Sequence, residues 1–217
     1  MLEILTHIVQ SEKVLIMRIL LTALVIIFTF QSWTKADDIS EFQLEEMSVG
    51  DSLLDYFSQN TIINKKNSYS DKGYIFNKKD FYSITFRKLP RFKTYEAVQI
   101  YLKDEDENFI IQALSGFKYY KDNINECYSD LNSIKKEFDA ILENASKVGD
   151  GQKRKHYYDK SGESTTLDYY YYINENNYEF LSIVCTDWSE SMRRTDSFQV
   201  QISSYEFGDF LYNKAYD

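Results

Sequence analysis

The sequence predicts an α+β fold: an antiparallel sheet, or sheets, with packed helices in the approximate order α-βββ-α-ββββ-α. Two patterns carry that expectation. Six runs show apolar residues alternating with polar ones, and other segments show apolar residues recurring every third or fourth position. The third observation is spacing. Runs joined by short turns pair antiparallel, because a parallel pair needs a long crossover between its strands.

Ser48 and Asp51 are spaced as a capping box, and Leu53, Leu54 and Phe57 then fall on one helical face, which predicts a first helix. A polar, Asn- and Lys-rich connection is expected from 60 to 79. Three strands follow in "FYSITFRK" (81–88), "YEAVQIYLKD" (95–104) and "NFIIQALSGFKYY" (108–120). In the second, Val98, Ile100 and Leu102 share a face while Gln99 and Lys103 point the other way, the mark of a half-buried strand. The lone proline, Pro90, lies in the turn after the first run.

The longest helix is predicted in "DNINECYSDLNSIKKEFDAILENASK". Ile124, Cys127, Leu131, Ile134, Phe138 and Ile141 lie on one apolar stripe there, with charges opposite. Gly149 and Gly151 mark a loop, followed by "KRKHYY" and a turn at "DKSGES". Strands are then expected in "TLDYYYYI", "YEFLSIVCTDW" and "DSFQVQISS". A terminal helix carrying Phe207, Phe210 and Leu211 closes the chain.

Upstream, "MRILLTALVIIFTFQSWTKADD" begins at Met17. It has a basic residue, Arg18, an unbroken apolar run over 19–30, and small residues Thr34 and Ala36 at the −3 and −1 positions of a cleavage site. The run is short of the roughly 18 residues expected of a spanning helix. Residues 1–36 therefore read as an N-terminal extension and signal peptide, with Met17 as the true start. Residues 37–217 read as one exported domain with two architecturally similar halves, 48–120 and 121–217. The expected location is periplasmic or secreted. The alternative is an uncleaved inner-membrane anchor extended by 14–17, which would make this an envelope structural protein. With no Cys near the cleavage site, a lipoprotein anchor is excluded.

The chain carries 25 basic and 34 acidic residues. Removing 1–36 takes three basic (Lys13, Arg18, Lys35) and two acidic (Glu3, Glu12), leaving 22 against 32. That balance argues against nucleic acid or an anionic membrane surface as partner. An aromatic content of 17 %, with 19 Tyr, excludes disorder. The two cysteines, Cys127 and Cys185, both fall in the exported part. An even count in an oxidising compartment predicts a bridge. Each also lies on the apolar face of its element, so a bridge pins the long helix across the sheet; two buried thiols are the alternative.

Four stretches, "MSVGDSLLDYFS", "NINECYSD", "DKSGEST" and "CTDWSE", together resemble a family of small secreted proteins of streamlined marine alphaproteobacteria. The resemblance spans most of the exported part. It implies export and a helix-plus-sheet domain, and carries over no catalytic residue. A Gly-containing turn opening a short helix before three antiparallel strands is similar, as structural analogy, to the repeats of beta-lactamase-inhibitor-like and outer-membrane-assembly lipoprotein folds.

Catalytic motifs are weak throughout. Gly50-Asp51-Ser52-Leu53 spells the signature of a class of serine hydrolases. The chain lacks the Gly-x-Asn-Asp and late Asp-x-x-His that complete that machinery, so Ser52 reads as part of a helix's first turn. His156 has no second His for a zinc site and reads as an exposed or strand-edge residue. "DEDEN" at 104–108 lacks the spacing of a calcium loop and reads as a hairpin tip, and "DKSGES" from Asp159 reads as a turn. No cofactor, metal or catalytic group is expected.

Aromatic residues supply the candidate binding surface. In "DYYYYI", Tyr169 and Tyr171 share one face with Leu167 and Ile173, which leaves Tyr170 and Tyr172 outward unless a helix covers them. Trp188 follows, with Arg193 and Arg194 close by as candidate anion contacts, a solvated loop being the alternative. Exposed Tyr and Trp are rigid amphipathic contacts. The expected function is that of an exported, non-enzymatic protein binding an envelope protein or glycan.

Overall fold

Alternation along the strands builds one eight-stranded antiparallel sheet, seen in a computed structural model that describes residues 38–69, 73–121, 123–173 and 178–216. The expected signal segment, 1–36, lies outside the described residues. In chain order the elements begin with a small hairpin, β1 (Gln43–Leu44) and β2 (Met47–Ser48), then α1 (Gln59–Asn67). A first meander follows: β3 (Phe81–Arg87), β4 (Ala97–Lys103) and β5 (Ile111–Tyr120). Helix α2 (Ile124–Ile141) leads to the short β6 (Ser146–Val148) and β7 (Arg154–Lys155). A second meander, β8 (Thr165–Tyr172), β9 (Phe180–Asp187) and β10 (Asp196–Ser203), precedes α3 (Tyr205–Asn213). The class is α+β.

The strand order is β3-β4-β5-β10-β9-β8-β6, with β7 also on the outer edge of β8. Each meander thus runs from an edge to the centre, and the two meet through their last strands, where Val200 pairs with Gly116. A Cβ on Gly116 would stand 2.7 Å from the Tyr95 ring that covers it, so the strand centre needs glycine there. The β3 edge is closed to further pairing, because the Ser83 and Thr85 N–H groups donate to the Gly73 carbonyl and the Tyr69 hydroxyl.

One face of the sheet holds the main core. Ile84, Ile100, Leu114, Ile183 and Val200 meet α1 and α2 there, and Cys127 and Leu131 on the α2 stripe are fully buried. Cys127 and Cys185 stand at disulfide-bonding distance, with Cα atoms 6.0 Å apart, pinning α2 to β9. On the opposite face a smaller cluster forms where Phe207 and Phe210 of α3 pack on Phe81, Tyr101 and Ala113. Gly208 lets α3 approach, since any Cβ there would overlap the Tyr178 carbonyl.

The N-terminal region departs from the sequence expectation. No helix begins at Ser48. The backbone of 50–53 instead docks on the start of β5: Gly50 N donates to Ile111 O, Ile111 N to Asp51 O and Leu53 N to Phe109 O, at 2.9, 2.9 and 3.0 Å. These groups are then unavailable to a helix. Asp51 keeps half of the capping box, accepting from Ser48 N at 2.9 Å. Leu53–Asp55 form only a 3-10 turn, capped by Ser52, whose hydroxyl donates to the Asn108 carbonyl at 2.7 Å. The helix lies later, in the stretch expected to be a polar connection. Ser58 caps it by accepting from Thr61 N, and Ile62 is its only buried residue. One buried position gives no periodic signal. The hairpin before it turns on two left-handed residues, Glu45 (φ 52°) and Glu46 (φ 70°). The Glu45 carboxylate holds this turn by accepting the N–H groups of Lys93, Thr94 and Tyr95, each at 2.7 Å.

Candidate functional site

The face of the sheet opposite α2 is polar at its centre. Side chains alternate, so burying Leu181, Ile183 and Cys185 under α2 turns Ser182, Val184 and Thr186 to the other side. Asp168 and Tyr170 of β8 and Gln199 and Gln201 of β10 join them through the strand pairing. Helix α3 is too short to cover this face and walls only one side. The chain leaving β7, His156 to Tyr158, walls the other. Between them lies a groove of about 620 Å³ whose floor includes Ser182, Val184, Gln199 and Gln201. That volume is within the roughly 300–1,000 Å³ usual for small-molecule sites.

The walls are aromatic. His156 packs on Trp188 with ring centroids 4.3 Å apart and on Tyr157 and Tyr158 at 5.2 and 5.7 Å. Arg194 lies over the Trp188 ring at 4.6 Å. Tyr157, Tyr158, Tyr212 and Tyr216 line the groove at 76, 58, 56 and 64 % exposure, a concentration of exposed aromatic side chains.

A buried carboxylate fixes these loops. One Asp159 oxygen accepts from the Ser164 backbone and hydroxyl at 3.0 and 2.6 Å and from the Ser189 hydroxyl at 2.8 Å. The other accepts from the Ser161 backbone and hydroxyl at 2.9 and 2.7 Å. Hydrogen bonds from Ser164 and Ser161 hold the Asp159 carboxyl well below the usual carboxylate range. The turn at 159–164 and the loop carrying Trp188 are thereby tied together. Trp188 N also donates to Asp196 at 2.8 Å. His156 N donates to Ser164 O at 2.9 Å, and its Nδ1 accepts from Tyr158 N at 3.2 Å, so that nitrogen carries no proton. Burial, then the Arg194 charge, lowers the His156 pKa and keeps the ring neutral.

On the floor, Gln199 Nε2 bridges Ser115 and Gln201 at 3.2 Å each, a fixed amide pair facing the groove. Burial and the nearby Asp168 push the Tyr170 hydroxyl up to about 12, leaving it a neutral donor. Asp168 is held by Arg154 at 3.2 Å. No metal-binding cluster of His, Cys, Asp or Glu occurs among the described residues, nor any helix long and apolar enough to cross a membrane.

Of the residues singled out from sequence, Tyr170, Trp188 and Arg194 line this groove. Arg193 does not; it is exposed in the left-handed turn after Trp188, with φ 50°. Tyr172 is a correction. It faces the expected side but is only 8 % exposed, because α3 covers that end of β8 and the Tyr212 hydroxyl meets the Tyr172 hydroxyl at 2.6 Å. Cys127 and Cys185 belong to the opposite core. Sequence reasoning missed Tyr157, Tyr158, Tyr212 and Tyr216. The available signal was "HYY" followed by a polar turn, two rings in succession that no single strand face can bury. The comparisons with known proteins find no family model, curated protein or solved structure that matches this chain.

Proposed function

We propose that this is an exported, non-enzymatic binding protein that takes an envelope component, protein or glycan, in the groove between α3 and the His156–Tyr158 wall. The observation that carries the reading is convergence. Rings from distant parts of the chain, at 156–158, 170, 188, 212 and 216, surround one groove with a polar floor. Large exposed rings held in place by their neighbours provide contact area at low entropic cost, which suits recognition.

Export is supported by the apolar N-terminal pattern and by the cysteine pair, which suits an oxidising compartment. A non-catalytic role is supported by the commitments of the polar groups. Asp168, the lining carboxylate among the described residues, is paired with Arg154, and the His156 Nδ1 is occupied by a backbone donor. Acid–base chemistry needs such groups free and poised towards a reactant.

Native mass spectrometry of the protein drawn from its host's envelope fractions tests this. The expected chain starts at Asp37 and is lighter by two hydrogens before reduction. It carries a discrete extra mass that is lost on denaturation and absent from a Val184→Trp variant, whose indole fills the groove floor. A chain retaining 14–30 and extracted only with detergent contradicts export as a soluble protein. A bound mass unaffected by Val184→Trp contradicts the groove.

A further inference from the structure

We infer that the ligand of this groove is a short acidic saccharide carrying carboxylates, a reading that rests on the binding role proposed above and names its ligand class. Charge gives the first argument. The protein is acidic, at −9 for the whole chain, yet among the described residues the groove lining holds the side chains of Arg154 and Arg194 against Asp168; Lys155, paired with Thr165 on the other face of β8, places its ammonium beside Gly162. Asp168 is spent on Arg154. Arg194 has no carboxylate at ion-pair distance among the described residues. An acidic protein that leaves Arg194 without a carboxylate partner in its aromatic groove is complementary there to an anion.

The shape of the surface selects among anions. Exposed side chains of Tyr157, Tyr158 and Tyr216, the first two packed on one another with centroids 4.1 Å apart, stand beside a floor of amides and hydroxyls, Gln199, Gln201 and Ser182. Pyranose rings present apolar C–H faces and equatorial hydroxyls, and so match both parts. Arg194, with its guanidinium 4.6 Å from the centre of the Trp188 ring, has the fork of donors that makes a two-point contact with a carboxylate. A peptide fits less well. The groove floor is a sheet face whose main-chain groups pair within the sheet, and the strand edge beside it, β7, is two residues long, which gives an added strand little to pair with. The β3 edge elsewhere is occupied by Gly73 and Tyr69. A nucleotide needs a cradle of backbone N–H groups for its phosphates. The N–H groups in the 159–164 turn are turned inward to Asp159 instead.

Isothermal titration of the full chain with a panel of carboxylated trisaccharides tests this. The panel includes galacturonate, mannuronate, N-acetylneuraminate and N-acetylmuramate forms, each beside a neutral trisaccharide of matching linkage, with an acidic peptide as a further ligand. At least one carboxylated member is expected to bind about ten-fold tighter than its neutral match or the peptide. Arg194→Gln should bring that ratio close to one. Circular dichroism on the same variant checks folding.

Equal binding of neutral and acidic forms, preference for the acidic peptide, or no saccharide binding at all overturns the inference. The envelope-derived mass separates this from failure of the groove itself. If that mass persists and is lost in Val184→Trp while saccharides fail, the ligand class is wrong and the groove stands. If both are absent, both readings fall.

Discussion

The two faces of the large sheet are made by the same strands and end differently. Ile183 and Val184 are neighbours in β9; the first is fully buried under α2 and the second faces the groove. The difference comes from the covering helices. Helix α2 has 18 residues and α3 has 9. At about 1.5 Å per residue, one spans roughly twice the length of the other. A long amphipathic helix pinned by a cysteine pair closes its face. A short helix, brought close by Gly208, closes one end and leaves the remainder open between aromatic walls. What the strands supply on that side, Ser, Thr, Gln and Tyr, tolerates solvent and can hydrogen-bond a ligand. Incomplete coverage of a polar face is thus how this fold leaves a groove open without disturbing its core.

The sharpest way to break the contrast is to unpin the closed face. Replacing both Cys127 and Cys185 by Ala removes the constraint on a loop of 58 residues, and the chain-entropy relation gives a loss of about 4 kcal/mol, an upper-end figure. Urea unfolding of oxidised wild type beside the variant measures it. Next come the neighbours in β9. Ile183→Ala should cost about 3 kcal/mol and Val184→Ala under about 1, because only the first leaves a cavity in a closed core. Equal costs would mean the faces do not differ as described.

Gly208→Ala sharpens the comparison from the open side. Overlap with the Tyr178 carbonyl should lift α3 at a cost of about 2 kcal/mol and weaken ligand binding with it. Tyr212→Phe removes the hydrogen bond to Tyr172, for about 1 kcal/mol in thermal unfolding.

The smallest effect is pH-dependent. The His156 pKa is lowered in the folded state, first by burial and then by Arg194. As pH falls through the ordinary histidine value of about 6.5, the unfolded chain takes up the proton first, so stability declines. The decline ends once pH is below the folded value. His156→Gln should flatten that slope between pH 7.5 and 5. The Asp159 carboxylate, held low by its serine partners, adds stability that is present above the ordinary carboxylate range. That contribution is lost only as pH falls through its depressed folded value, below this window.

Much of the fold was legible because alternation and helical periodicity are local. The strand runs and the α2 stripe appear in the sequence nearly where they appear in space. So did the cysteine pair, since both residues lie on apolar faces that must meet. The region before β3 was not legible. Ser48 and Asp51 make a turn in place of a helix because β5, some 60 residues away, takes the backbone groups. Helix α1 buries only Ile62, too little to mark a stripe.

The site was legible in part, through Tyr170, Trp188 and Arg194. The far wall came from "HYY" and from Tyr212 and Tyr216, which strand pairing and α3 packing carry to the same groove. Tyr172 shows the limit of alternation, which assigns a face but does not say what will cover it.

Amide hydrogen exchange of the full chain, with and without the small-molecule and glycan fraction of its host's envelope, tests the contrast most directly. Protection is expected at 154–158, 186–194 and 205–216, with α2 and the strands beneath it unchanged. Protection on α2, or none on the groove walls while a ligand is bound, would contradict a site on the open face.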